Sequence, residues 1–157
     1  MQATTTRDLS AAFVAAIHAI TPTYAHARGE GWKYTPGGRE RGGAEGLHGA
    51  ALRSFDLLWS PGLPTLRCFH GEGNEEYQAT MRVATAYTGL DPFELEHMIT
   101  ADGVDLRRAL IRLSEPTTPG LTLALYAGVA GIETDDAANA YVEHAFTVTY
   151  VQDTNGT

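Results

Sequence analysis

The stretch that most constrains this chain is 141–151, YVEHAFTVTYV. Val142, His144, Phe146, Val148 and Tyr150 fall at every second position, and Tyr141, Glu143, Ala145, Thr147 and Thr149 alternate with them. A period of two, rich in β-branched and aromatic residues and free of Gly and Pro, is a strand with one buried face. Only the polar tail 152–157 follows it, so the chain is expected to finish on a core strand. The preceding residues must then supply the sheet it joins and the helices that cover its apolar side.

A chain of 157 residues with 43% hydrophobic content is the size of one domain, 1–157, around one core. Its formal charge is −8, with Lys33 the single lysine beside ten arginines. That acidity disfavours sequence-independent DNA binding, because it repels phosphate, but it does not forbid a protein past which DNA slides. Cys68 is the one cysteine, which excludes an intramolecular disulfide and a zinc site of several thiolates. The opening MQATTT lacks a basic region and leads into an amphipathic segment, and no run approaches the roughly 20 apolar residues that span a bilayer. A soluble protein made in a reducing cytoplasm, with no membrane partner, is the expectation.

In chain order, Leu9, Phe13, Ala16, Ile17 and Ile20 predict a helix over 7–20, with Asp8 or Thr6 as its cap and Pro22 beyond its end. Residues 21–51 then hold eight glycines and two prolines with almost no aliphatics. A stretch of about 30 residues without periodicity is uncommon inside a compact domain. It reads either as a mobile loop or as an arm that folds against a neighbouring subunit, with aromatics and arginines as anchors. Strands are expected over 52–60, with Phe55, Leu57 and Trp59 on one face, over 65–70, and over 77–87, with Ala79, Met81, Val83, Thr85 and Tyr87 on one face. Asp91, Pro92 and Glu94 form a capping box and helix start. The Asp102-Gly103 pair is expected to interrupt or kink that helix before a second piece over 104–113, with Leu106, Leu110 and Leu113 inward. A strand over 121–129 and a polar connection over 130–139 lead back to the terminal strand. The sum is an α+β domain: a mainly antiparallel or mixed β-sheet, helices packed on one face, and a long Gly-rich loop.

Little catalytic chemistry is visible. Glu94 and His97 have the i, i+3 spacing of carboxylate-bridged metal bundles, but the second pair and further glutamates that such bundles need are missing. His70, Glu72, Glu75 and Glu76 read as a solvated hairpin tip, His144 as a sheet-edge or hydrogen-bonded core residue, and Cys68, near Leu66 and Phe69, as buried. The glycine-rich run has neither the order nor the preceding strand of a phosphate cradle. No catalytic, cofactor-binding or metal-ligating residue is therefore assigned, and no cofactor is expected.

The order of elements carries more information. An N-terminal helix, a strand entering from a long loop, the strand QATMRVATAY, the helical unit DPFELEHMITADGVDLRRALI and the closing strand HAFTVTYV resemble the tail terminator (tail completion) proteins of long-tailed bacteriophages. The likeness covers most of 7–152 as a pattern, and the 21–51 segment departs from it. It implies a structural virion protein rather than an enzyme. Such a protein forms a homohexameric ring that caps the tail tube, stops its polymerisation and joins the tail to the neck of the head. The implied partners are further copies of the chain, the tail tube protein and a neck or head-completion protein, with genome DNA passing the channel without specific binding. The implied location is the host cytoplasm during assembly and then the head-tail junction. A neck, head-closure or tail tube component, and more distantly a small α+β enzyme, are the alternatives. Trp32, Tyr34, Arg39 and Arg41 are the candidates for contacts between subunits or rings, so deleting 29–46 is expected to spare the fold and impair assembly.

Overall fold

The structure, a computed structural model, describes residues 3–24, 33–37, 47, 50–69, 73–113, 118–135 and 139–153, without the side chains of 66–69 and 153. The elements are α1 (Thr6–His18), β1 (Thr35–Pro36), β2 (Ser54–Trp59), β3 (Leu63–Phe69), β4 (Asn74–Tyr87), α2 (Pro92–Ile111), β5 (Leu121–Thr134) and β6 (Ala140–Asp153). They build an α+β fold on one mixed sheet in the order β1-β2-β4-β6-β5, with β3 paired to the first half of β4. Among the described strands only β1 and β2 run parallel.

The terminal strand β6 lies at the centre, between β4 and β5. Its register pairs Val148 with Ala79, Phe146 with Met81, His144 with Val83 and Val142 with Thr85, so the alternating set of each strand meets that of the other on one face. Both helices cover that face. Leu9, Phe13 and Ile17 of α1 and Leu106 and Leu110 of α2 join Phe55, Met81, Val83, Phe146 and Val148 in one buried core. Burial of such large apolar side chains is the main favourable term in the fold, at roughly 1.5–3 kcal/mol each. The α1 stripe is fixed against β2 by the stacked rings of Phe13 and Trp59, 5.8 Å apart, and by a bond from Trp59 Nε1 to Ser10 Oγ of 2.7 Å.

Several expectations are corrected. Thr5 caps α1, its hydroxyl accepting the Asp8 amide and donating to the Asp8 carboxylate; Asp8 is thus the third residue of the capping arrangement, not the cap. The α2 cap stands as expected, with Asp91 accepting the Glu94 amide at 2.8 Å. Asp102 and Gly103, however, do not break α2, which runs as one helix of 20 residues. β3 starts at Leu63 and includes Pro64, which an edge strand tolerates because its missing N–H faces no ladder partner. β5 continues to Thr134, through most of the expected connection.

The segment 21–51 is also not simply a loop or arm. It contributes β1, whose Thr35 N–H bonds to the Arg53 carbonyl at 3.1 Å and whose neighbour Gly37 N–H bonds to that of Phe55 at 2.8 Å. Tyr34 is buried on the helix-covered face, edge-on to Phe55. Leu47 is buried on the opposite face, with Ala84, Ala86 and Tyr141. At these points the segment is core, so removing 29–46, which takes Tyr34 and β1 with it, is expected to disturb the fold rather than spare it.

Candidate functional site

Two features stand out: a buried polar network between α2 and the sheet, and a groove above it along β5. The network begins at Arg53, in the corner before β2. Its backbone is left-handed at φ 61°, rare for a residue with a side chain, and the strain is held by bonds from its N–H to the Ala86 carbonyl and from Thr35 to its own carbonyl. Its guanidinium turns inward and is fully buried. Nε and Nη2 make a forked pair of bonds to Asp102 at 3.0 and 2.7 Å, and Nη2 also reaches the Tyr24 carbonyl at 2.7 Å. The Tyr34 ring lies 5.7 Å beneath the same cation. Burial raises the Asp102 carboxyl above the usual carboxylate range, while the Arg53 bonds pull against that rise.

From Asp102 the network runs outward across the sheet. The Tyr87 hydroxyl donates to Asp102 Oδ2 at 2.8 Å. With its one proton so used, the Tyr87 oxygen accepts from His144 Nε2, 3.3 Å away, which leaves His144 Nδ1 bare to accept from the Tyr126 hydroxyl at 3.1 Å. The tautomer is assigned by these neighbours, and burial pushes the imidazole down to about 4, so it is neutral at pH 7. Burial raises Tyr126, and burial followed by the Asp102 charge raises Tyr87 well above its ordinary value. General acid–base work calls for a group that titrates near the working pH. Here the three outward groups are all displaced from neutrality, and the chain acts as a fixed strut tying α2 to β4, β5 and β6.

Around the strut, Thr23 gives its N–H and hydroxyl to the two oxygens of Asp105 at 2.8 and 2.7 Å, which pins the chain after α1 to α2. The Tyr34 hydroxyl is near Asp102 but outside hydrogen-bonding geometry, and it has no partner among the described residues. Burial first, then the Asp102 charge, raises it well above the ordinary tyrosine value.

Tyr126 ends the network at the floor of a groove of about 340 Å³ lined by Ile99, Thr100, Gly103, Val104, Arg107 and Val129. Gly103 lets α2 approach: a Cβ there would stand 2.8 Å from the Tyr126 hydroxyl. The groove continues along α2 past Leu95, Glu96 and Ile132. β5 is the sheet's edge strand beside it. Val104, Val129 and Ile132 on the groove side and Leu125 on the open face are 43–57% exposed, and Phe93 72%.

Of the residues singled out in the sequence, Tyr34 is inside the core and cannot offer its ring to a neighbouring subunit, which corrects that assignment; Trp32, Arg39 and Arg41 lie outside the described residues. His70, Glu72 and the Cys68 side chain are likewise outside them. His144 is a hydrogen-bonded core residue rather than a sheet-edge one, and His97 lies edge-on to Phe93, 4.4 Å between ring centres. Among the described residues no group of three His, Cys, Asp or Glu is placed to hold a metal, and no helix is long and apolar enough to cross a membrane. Sequence reading missed Arg53 and Asp102. A signal for Asp102 was present: it stands four residues after Met98 and four before Leu106, a carboxylate on an apolar helix stripe.

Compared with known proteins, the sequence matches no family model and no curated protein.

Proposed function

We propose that the chain is a structural protein of a long-tailed phage or phage-like particle, a tail terminator whose copies form a hexameric ring on the end of the tail tube. The ring stops tube growth and joins the tail to the neck. The observation that carries this reading is the edge strand β5, 14 residues long, with exposed aliphatics on both of its faces and the apolar groove of α2 beside it. A long apolar sheet edge is an aggregation hazard in a monomer and a natural subunit contact in an assembly. The buried strut suits the same role. A network with its titrations moved away from neutrality serves rigidity, and a ring that seats on a tube needs rigid copies. The acidic overall charge suits a channel that DNA traverses without being gripped.

Electron microscopy of the protein mixed with its tail tube subunits tests the proposal. Tubes of controlled length with added density at one end only are the expected result. Incorporation along the tube would make the chain a tube subunit, and binding to isolated neck components alone would make it a head-closure protein; either outcome overturns the terminator reading. A strict monomer that binds a small metabolite saturably would overturn the structural reading altogether.

A further inference from the structure

Among the residues that line it, the groove between α2 and β5 is apolar along its walls and charged only toward its ends. Leu95, Ile99 and Val104 wall it on the helix, and Val129 and Ile132 on the strand. The hydroxyls of its middle are engaged within the fold: that of Tyr126 donates to His144 Nδ1 at 3.1 Å, and that of Thr100 to the Glu96 carbonyl at 2.9 Å. A sugar, nucleotide or polar peptide lying there would exchange its bonds to water for few others. Arg107 borders the end beside Tyr126 and has no bonded partner among the described residues. Glu96 borders the end beside Ile132, 11 positions back along the helix, which is about 16 Å. The part around Tyr126 encloses about 340 Å³, at the lower end of the roughly 300–1,000 Å³ of small-molecule sites.

We propose that this groove binds a free single-chain anionic amphiphile, a medium-chain carboxylate such as dodecanoate, with its head on Arg107 and its hydrocarbon chain laid toward Ile132. The charge at each end fixes the direction. The guanidinium of Arg107 offers a carboxylate a fork of two N–H groups, and Glu96 repels the same head at the far end. A chain of roughly a dozen carbons covers the helix length between the two. Val104, Val129 and Ile132, now 43–57% exposed, are the surface it would remove from water. An added peptide strand fits less well. It needs a regular edge, and β5 carries register shifts at 126/128 and 129/131, alongside the groove. A bilayer also fits less well, because the apolar surface is a concave channel rather than a protruding face. Leu123 and Leu125 are exposed on the other face of β5 and remain for contacts between copies, so the site neither uses nor requires the ring reading.

Isothermal titration of the full chain with dodecanoate, below its micelle concentration, tests the site. Saturable binding of one molecule per chain is expected, with octanoate weaker by about tenfold or more because its shorter chain covers less of the groove. Arg107→Gln is expected to weaken dodecanoate about threefold to tenfold and to leave dodecanol unchanged, since the alcohol has no charge to lose. Ile132→Asp, at an exposed position, is expected to weaken both ligands. Thermal unfolding of each variant checks the fold, and Ile132→Asn takes the place of the aspartate if that variant unfolds. Dodecanoate binding insensitive to both variants, or no saturable binding up to the micelle limit, would overturn the proposal. So would cosedimentation with vesicles of anionic phospholipid without binding of free dodecanoate, which would make the groove a membrane contact. Loss of self-association in Ile132→Asp, again without dodecanoate binding, would give the groove to a second copy. Sedimentation of the ligand-free protein reads the ring separately: assembly without dodecanoate binding overturns the site and leaves the ring standing, whereas a strict monomer that binds dodecanoate supports the site and overturns the ring.

Discussion

Arg53 and Asp102 stand 49 positions apart in the chain and meet as a fully buried ion pair, Nη2 to Oδ1 at 2.7 Å. The pair joins the corner before β2 to the middle of α2 and, through Tyr24, to the chain leaving α1. Two charges taken from water recover their desolvation only when geometry and further bonds are good, and the forked contact with the Tyr87 hydroxyl as an extra donor meets that condition.

Removing one partner leaves the other charged and buried. Arg53→Leu is expected to cost about 3–5 kcal/mol in urea unfolding. The double change Arg53→Leu with Asp102→Leu is expected to recover a large part of that loss, since no unpaired charge remains. Arg53→Lys is expected to behave more like the leucine variant than like wild type, because an ammonium cannot reproduce the fork and the third bond to Tyr24. A lysine variant as stable as wild type would contradict this account of the site.

Tyr34 tests whether the glycine-rich segment belongs to the core. Its ring is buried against Phe55 and beneath the Arg53 cation. Tyr34→Ala is expected to lower stability by about 3–5 kcal/mol, in the range of buried aromatic truncations. Deleting 29–46, which removes Tyr34 and β1 together, is expected to abolish cooperative unfolding. A deletion variant with a wild-type transition would return the segment to the status of an external arm. Tyr34→Phe, in contrast, removes a hydroxyl without a described partner and is expected to be neutral or stabilising.

Local rules made much of the fold legible. The alternation of 141–151, the β4 face and the Asp91-Pro92-Glu94 start of α2 all sit where the pattern puts them, since period and capping depend on near neighbours. What failed depended on distant ones. Asp102 and Gly103 are poor helix residues taken alone, yet Asp102 is held by Arg53 and Tyr87, and Gly103 is where Tyr126 needs room, so tertiary contacts override propensity. β1 has two residues and no periodicity to read; it exists because Arg53 and Phe55 offer it carbonyls. The candidate site as a whole escaped sequence reading for the same reason, its members being spread from Tyr24 to His144; Asp102 on an apolar helix stripe and His144 on an apolar strand face were the members with a local signal.

Gly103 and Tyr126 give a test of that override. In a helix interior Gly→Ala ordinarily gains about 0.5–1 kcal/mol. Here the new Cβ would stand 2.8 Å from the Tyr126 hydroxyl, which is itself bonded to His144. Gly103→Ala is therefore expected to lose that gain or to destabilise, whereas in a Tyr126→Phe background, where the hydroxyl is gone, the same change is expected to stabilise by about 1 kcal/mol. Chemical denaturation of the four proteins of this cycle measures the coupling. Additive effects would show that Tyr126 does not limit the approach of α2.

His144 makes stability depend on pH, and the sign follows from its buried, neutral state. Burial holds its pKa at about 4, below the 6.5 expected of the unfolded chain. Between those values the unfolded chain binds a proton that the folded protein does not, so stability rises with pH there and is lost as pH falls through the window. The contribution is full above about pH 6.5 and is expected to decline by about 3 kcal/mol on reaching pH 4. Carboxylates add their own loss near the lower end, so the diagnostic interval is pH 6.5 to 5, where the histidine dominates. His144→Gln keeps an amide between the Tyr87 and Tyr126 hydroxyls and removes the titration. It is expected to be less stable than wild type at pH 7.5 and to show a flatter unfolding midpoint across that interval. An equal slope in both proteins would show that His144 is not the source of the pH dependence in this interval.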